Sequence, residues 1–261
     1  MSRCSWLTLA GTILLALQAF AASEDSGESP RTTLTVAAAA NLKFALADVV
    51  AEFQAKNPAI KVNVTYGSSG NFFAQLQNGT PFDLFFSADV GYPQKLAVAG
   101  LGADEIFVYA AGRIVVWVPK DSPLDVGMPS IKALLDPSIR RIAVANPKQA
   151  PYGRAAVAAM KALHVYERVA GRIVYGEDIA QTAQFIQSGA ADIGILALSL
   201  AVAPQMRDAG RFWEIPPDAY PCMEQAGLIL KWTKNLETSR LFRDFVLGDH
   251  GCKVLKHYGF F

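Results

Sequence analysis

The hydrophobic and polar positions of this chain alternate between two periods along its length. Short apolar or strictly alternating runs predict strands, and longer runs with apolar residues three and four positions apart predict helices. The predicted strands are residues 32–36, 61–66, 84–87, 114–118, 141–145, 172–175, 193–198 and 228–232. The predicted helices are residues 42–57, 71–78, 153–163, 179–187 and 237–247.

This order of elements predicts an α/β fold. Strands that alternate with helices favour parallel sheets with helices on both faces. The second half of the chain repeats the alternation of the first half, so we expect two α/β lobes. Ligands of such sheets bind beyond the carboxyl ends of the strands, where loops lead into helices.

Uncharged polar groups occur at four of these strand-to-helix junctions. Three junctions supply side chains: residues 37–41 with Asn41, residues 67–70 with Ser69, and residues 150–153 with Tyr152. The fourth is residues 177–179, where the backbone N–H of Ile179 can point outward. Helix starts leave N–H groups without partners and carry a partial positive charge, so they bind anions. Side-chain amide, hydroxyl and phenol groups add neutral donors. The four junctions together predict a binding site for an oxyanion.

The protonation state of that anion follows from the same groups. A site made only of donors suits an oxyanion that carries no proton at neutral pH, whereas hydrogen phosphate requires an acceptor. Glu177 and Asp178 are close enough in sequence to supply one. Each junction residue also has an ordinary structural role, Asn41 as a helix cap and Tyr152 as a core aromatic, so the prediction depends on the four occurring together.

The segment that precedes Thr32 differs from the rest of the chain. Arg3 comes before an apolar run at positions 6–17, and Ala19-Phe20-Ala21 then supplies a small-x-small cleavage site. Residues 1–21 are therefore predicted to be a signal peptide, and the polar residues 22–31 a disordered leader. An uncleaved anchor or a buried helix is the alternative, but the apolar run is too short to cross a bilayer as a helix. A cleaved signal peptide predicts a periplasmic protein.

The net charge of the mature chain argues against a nucleic-acid partner. Removal of Arg3 with the signal peptide leaves 23 basic and 23 acidic residues. A neutral chain lacks the basic surface that a nucleic-acid partner requires, so we predict none.

Cys222 and Cys252 remain in an oxidising compartment, where a disulfide and two separate thiols are both compatible with the sequence.

Five segments resemble periplasmic molybdate-binding proteins, the binding components of ABC transporters. They are residues 35–42, 66–70, 83–89, 175–178 and 256–260, and the resemblance extends over about residues 32–261. It implies a type II periplasmic binding protein fold, with two lobes joined by a hinge and a mostly parallel sheet in each. The first lobe would contain residues 32–111 and 221–261, and the second lobe would contain residues 112–220.

The resemblance also implies a set of ligand contacts. Asn41 and Ser69 of the first lobe, with the amide of Ala40, would meet Tyr152 and the backbone amide of Ile179 from the second lobe. All five would contact the oxygens of the anion and not the metal atom itself. Many members of the family have a tyrosine where Ala197 stands here. The phenol of Tyr152 is expected to replace that missing hydroxyl.

The implied function is capture of molybdate or tungstate and delivery to a membrane permease, by a monomer that needs no cofactor. The sequence does not separate molybdate from tungstate. Two alternatives remain open, a binding protein for another oxyanion such as sulfate and a secreted hydrolase. Ser68 or Ser69 would be the hydrolase nucleophile, but the loop lacks the G-x-S-x-G elbow. The chain is therefore predicted not to be an enzyme.

Overall fold

In residues 32–124 and 131–261, which the computed structural model describes, two five-stranded sheets form the framework. The predicted signal peptide and leader lie outside the described residues. The strands are β1 Thr32–Ala39, β2 Ile60–Gly67, β3 Leu84–Phe86, β4 Phe107–Gly112, β5 Ile114–Pro119, β6 Ile142–Ala145, β7 Ile173–Gly176, β8 Ile193–Ala197, β9 Gly210–Glu214 and β10 Met223–Ile229.

Helices cover the faces of both sheets. They are α1 Lys43–Lys56, α2 Ser69–Gln77, α3 Gly91–Val98, α4 Pro151–Ala162, α5 Tyr166–Val169, α6 Ile179–Gln187, α7 Leu198–Ala201, α8 Pro204–Arg207, α9 Leu236–Leu247 and α10 Asp249–His257. Within the described residues, no helix has the length and apolarity that a bilayer crossing requires.

The two sheets share one topology. Their strand orders are β2-β1-β3-β10-β4 and β7-β6-β8-β5-β9. In the first sheet β10 runs opposite to the other strands, and in the second β5 does. Each sheet is therefore mostly parallel with one reversed strand. The predicted two-lobed α/β fold is confirmed.

The chain passes between the sheets at two adjacent places. Strand β4 ends at Gly112 and β5 begins at Ile114, while residues 215–222 return the chain from β9 to β10. The crossings are paired at both ends, because Gly112 is in register with Met223 in one sheet and Val115 with Glu214 in the other. The side chain of Arg113 forms an ion pair of 3.0 Å with Glu214 beside them.

Each sheet has its own apolar core, and these cores fix the strand ends. In the first lobe, Phe53 packs edge to face on Phe242 with ring centroids 5.0 Å apart. In the second, Trp117 is 1 % exposed within a cluster that includes Ile142. Burial of one such side chain contributes about 1.5–3 kcal/mol to stability. Rigid sheets hold the four predicted junctions in place.

Candidate anion-binding site

The first junction follows β1, where a 3₁₀ turn at Ala40–Leu42 buries Asn41. The Nδ2 atom of Asn41 lies 3.2 Å from the Tyr152 hydroxyl and 3.0 Å from Gln225 Oε1. Among the described residues, Asn41 Oδ1 is buried without a hydrogen-bond partner. One atom of this amide therefore remains for a ligand.

The second junction is the start of α2. Ser68 caps the helix by accepting from the amide of Asn71 over 3.3 Å, so its hydroxyl has a structural role. Ser69 Oγ accepts from the amide of Ala88 over 3.0 Å, which leaves its own proton to donate. In the described part of the chain, the backbone N–H of Ser69 has no acceptor. Ser69 thus offers two neutral donors.

The third junction is the start of α4, where Pro151 occupies the first turn. A Cβ on Gly153 would lie 2.1 Å from the Ala145 carbonyl oxygen, so the glycine allows the helix to begin against the end of β6. The hydroxyl of Tyr152 lies 2.9 Å from Gln225 Nε2 and 3.2 Å from Asn41 Nδ2. Its backbone N–H has no acceptor among the described residues. The amide of Tyr152, and not the phenol alone, is therefore a candidate donor.

The fourth junction is the start of α6. Asp178 caps the helix, and its Oδ1 accepts from the amides of Ala180 and Gln181 over 2.8 and 2.9 Å. The N–H of Ile179 has no acceptor within residues 32–124 and 131–261. A capping carboxylate and a free amide beside it make this helix start a donor to an outside group.

These four junctions converge on one small cavity between the two sheets. Its lining residues are Ala39, Ala40, Asn41, Gly67, Ser68, Ser69, Ala88, Ala150, Pro151, Tyr152, Asp178 and Ile179. The five residues singled out from the sequence are all among them, and each is between 1 and 4 % exposed. No Lys, Arg or His is among these lining residues. Access from solvent therefore requires the lobes to separate.

The two carboxylates near the fourth junction are occupied by protein donors. Asp178 lines the cavity, but its Oδ1 serves the helix cap. Glu177 Oε1 accepts from Asn71 Nδ2 over 2.6 Å, across the cleft. Neither group offers its bonded oxygen as an acceptor for a protonated anion. Burial raises the pKa of the Tyr152 phenol, so this side chain is neutral, like the other donors of the site.

Contacts between the lobes hold the cleft closed. The amide of Gly70 donates to the Gln149 carbonyl over 2.9 Å, and Ser199 Oγ donates to the Asn41 carbonyl over 2.8 Å. Arg154 of α4 also forms an ion pair with Asp89. These bonds place residues of both lobes on every side of the cavity.

The sequence prediction missed Gln225, which is fully buried on β10 and bonds to both Asn41 and Tyr152. No motif marks it, because it lies within a strand and not at a junction. The two cysteines that follow the predicted leader, Cys222 and Cys252, are free thiols. Among the described residues, no three His, Cys, Asp or Glu side chains form a cluster that could hold a metal ion.

Comparisons with known proteins agree with this geometry. Residues 34–261 match the family described as bacterial extracellular solute-binding protein. The molybdate-binding protein ModA of Azotobacter vinelandii is 34 % identical over 226 residues, which are 86 % of this chain and 88 % of that protein. ModA of Rhodobacter capsulatus is 32 % identical over 202 residues, which are 76 % of this chain and 77 % of that protein.

A solved structure gives the same result. The periplasmic molybdate-binding protein of Azotobacter vinelandii superposes with a TM-score of 0.81 at 31 % identity, over 87 % of this chain and 98 % of that one. The resemblance seen in the sequence motifs is thereby confirmed, as is the class of binding protein rather than enzyme. The chain belongs to the family of bacterial extracellular solute-binding proteins, and ModA proteins are among its relatives.

Proposed function

We propose that this protein captures molybdate outside the cytoplasm and delivers it to the membrane permease of an ABC transporter. The observation that carries the proposal is the convergence of four helix or turn starts on one cavity without a cation. Neutral donors bind an anion through partial charges and hydrogen bonds. The ModA relatives, which are named for molybdate binding, support this choice of anion.

The ligand contacts in this proposal are Asn41, Ser69, Tyr152 and Ile179, with the amide of Ala40 beside them. Each donates to an oxygen of the anion, so none is a direct ligand of the metal. Ser69 donates through its hydroxyl, and Ile179 through its backbone N–H. Tyr152 offers its backbone N–H, which has no acceptor among the described residues, and the phenol contact expected from the sequence remains part of the proposal. No cofactor takes part.

Tungstate is proposed as a second ligand. It has the same tetrahedral arrangement of oxygens and nearly the same size as molybdate, so the same donors serve both. Sulfate is smaller, and the donors of two opposing lobes would reach it less well.

The proposed working cycle depends on two lobes, residues 32–111 with 221–261 and residues 112–220. The anion enters the open cleft, donors of both lobes close on it, and the permease recognises the closed form. A ligand that contacts both lobes stabilises the closed state by its difference in affinity for the two states. Small-angle scattering should show a more compact particle with saturating molybdate, and equal compactness would contradict this cycle.

The cellular setting completes the proposal. Residues 1–21 act as a signal peptide that is removed on export, and residues 22–31 form a short leader. The mature protein works as a periplasmic monomer without a nucleic-acid partner. Mass spectrometry of protein secreted to the periplasm would give the cleavage site.

Calorimetric titration of the mature protein tests the ligand. Molybdate, tungstate, sulfate and phosphate are compared under identical conditions. We expect one-to-one binding of molybdate and tungstate with much less heat from sulfate. The melting temperature should rise with each bound ligand. Preferential binding of sulfate would contradict the choice of molybdate but not the class of binding protein. No binding of any of the four anions would contradict the oxyanion site.

A further inference from the structure

A buried polar network lies behind the proposed anion site, centred on Gln225. Its Oε1 lies 3.0 Å from Asn41 Nδ2 and 2.9 Å from the hydroxyl of Tyr109. Its Nε2 lies 2.9 Å from the hydroxyl of Tyr152. Gln225 is 0 % exposed and is not among the cavity-lining residues. It can therefore act on an anion only through the side chains that it holds.

A backbone carbonyl fixes the direction of hydrogen bonding at one end of this network. The hydroxyl of Tyr109 lies 2.9 Å from the Ser87 carbonyl oxygen and 2.9 Å from Gln225 Oε1. Both are acceptors, but a phenol has only one proton to donate. The Ser87 carbonyl can only accept, so it takes the proton of Tyr109. Gln225 then satisfies the phenol oxygen best with its NH₂ group.

The orientation of Gln225 determines that of Asn41. The nitrogen and oxygen of a side-chain amide are nearly equal in size, so each amide fits in two orientations related by half a turn. With its NH₂ group toward Tyr109, Gln225 donates its second proton to the amide oxygen of Asn41. Its own oxygen then accepts from the Tyr152 hydroxyl. One oxygen–oxygen contact then remains in the network, between Asn41 Oδ1 and the Tyr152 hydroxyl at 3.2 Å, which is longer than the 2.9 Å contact that the rotation relieves at Tyr109.

This arrangement also removes the unpartnered oxygen from the site. In the opposite orientation, Asn41 Oδ1 is buried with no partner among the described residues, in a cavity proposed to hold an anion. A buried acceptor without a donor is costly, and it repels an anion. Rotation of both amides puts Asn41 Nδ2 in that position instead. The free atom becomes a donor.

We propose that Gln225 is a positioning residue for anion selectivity, which presents the NH₂ group of Asn41 to the bound oxyanion. The proposal rests on the proposed function, since the anion is the group that Asn41 would meet. An NH₂ group can donate to any oxygen that an unprotonated anion presents to it, but it cannot accept from the hydroxyl of hydrogen phosphate. Gln225 therefore makes the site select anions without a proton.

The same network also reaches the second lobe, through Tyr152. Gln225 lies on β10 of the first sheet, whereas Tyr152 lies in the first turn of α4 in the second lobe. The bond between Gln225 and Tyr152 forms only when the lobes meet. Ser87, Tyr109 and Gln225, which orient Asn41, all lie in the first lobe, so closure adds the contact with Tyr152 to an orientation that the first lobe already fixes.

The test uses Gln225→Glu in the full mature protein. A carboxylate only accepts, so it draws Asn41 Nδ2 toward itself and turns the amide oxygen to the anion. Calorimetry with molybdate, sulfate and phosphate at pH 8, using displacement for the weak ligands, gives the affinity for each. We expect the ratio of sulfate to hydrogen phosphate affinity to fall by about tenfold, as for one lost bond to a charged group.

A second variant avoids the added charge. Tyr109→Phe removes the group that fixes Gln225, so we expect the same ratio to fall in the same direction while the net charge is unchanged. Gln54→Glu is the matched control, because Gln54 lies in the same lobe and only accepts from the amide of Val62 over 2.7 Å. It should lower all affinities slightly and leave the ratio unchanged. Melting temperatures without ligand identify any variant that has lost its fold.

The outcomes separate the two proposals. Equal losses for sulfate and hydrogen phosphate in both Gln225→Glu and Tyr109→Phe would overturn the positioning role while leaving the anion site in place. Failure of the unaltered protein to bind any of the anions would overturn the proposed function and the positioning role together. A fall in the ratio in both variants, with Gln54→Glu unchanged, supports the positioning role.

Discussion

The amide of Gly70 donates a hydrogen bond of 2.9 Å to the carbonyl oxygen of Gln149, across the cleft between the lobes. No side chain fits between these two backbones. A Cβ on Gly70 would lie 2.6 Å from the Gln149 oxygen and 2.7 Å from the Tyr92 hydroxyl. The first clash is with backbone of the opposite lobe, so it exists only in the closed state.

Gly70→Ala is therefore expected to impair closure without unfolding either lobe. The affinity for molybdate should fall by at least about tenfold, which corresponds to about 1.4 kcal/mol. Calorimetry gives the affinity, and the melting temperature without ligand should change little. Gly171→Ala is the control, since nothing lies within 4 Å of a Cβ at that position. Unchanged affinity in Gly70→Ala would show that the cleft does not close as described.

Ser69 and Ser68 are adjacent serines with different roles, and alanine substitutions should separate them. Ser69→Ala removes a hydroxyl donor to the anion, so affinity should fall by about 1.5–3 kcal/mol. Ser68→Ala removes a helix cap, so the free energy of unfolding should fall by about 0.5–2 kcal/mol with a smaller effect on binding. Urea unfolding and calorimetry on both variants measure the two effects. Equal losses of affinity would contradict this division of roles.

The affinity for molybdate should be nearly independent of pH between about 6 and 9. No Lys, Arg or His lines the cavity among the described residues, and burial raises the pKa of Tyr152, so its phenol stays neutral in this range. Titrations at several pH values in buffers of equal ionic strength test this. A steep dependence would reveal a titrating group that contacts the anion.

Asp104 should stabilise the fold in a pH-dependent way. Hydrogen bonds from Arg240, with the charges of Arg240 and Arg243, lower the pKa of this carboxyl. A lowered pKa means that its stabilisation is present above the ordinary aspartate value of about 3.9 and is lost as the pH falls below it. Asp104→Asn should therefore be less stable than the unaltered protein at pH 6, and the difference should shrink as the pH falls below the ordinary aspartate value.

Urea unfolding of both proteins at several pH values measures that difference. Asp208→Asn is the control, because Asp208 pairs with Arg207 where 71 % of its side chain is exposed. Its effect on stability should be small at every pH. A constant difference between Asp104→Asn and the unaltered protein down to pH 2 would contradict the role of the Asp104 charge.

The sequence predicts elements well where local signals agree. Helix α6 has the predicted bounds of Ile179–Gln187, because the Asp178 cap precedes an apolar stripe of helical period. Strand β10 was predicted at residues 228–232 and is observed at Met223–Ile229. Its first residues include polar Glu224 and Gln225, and an apolar run cannot reveal that a polar side chain is buried. Burial of Gln225 depends on partners from distant segments.

The site shows the same division between local and distant information. The junction residues could be singled out because helix starts and their caps are encoded within a few residues. The role of the Tyr152 phenol could not, because its hydroxyl meets Asn41 and Gln225, which are 111 and 73 residues away in the chain. The expected direct contact from the phenol to the anion stays a prediction, and the structure adds the amide of Tyr152 as a donor.

The two adjacent crossings between the sheets restrict how the lobes can move. Since each crossing is anchored at both ends by strand pairing, the closure in the proposed cycle would be a rotation about the line that joins the crossings and not a slide along it. Opening and closing of the lobes would then be described by one rotation angle. Asn41 and Tyr152 would then meet in the same register on every proposed cycle, and an anion held first by either lobe would reach one final geometry.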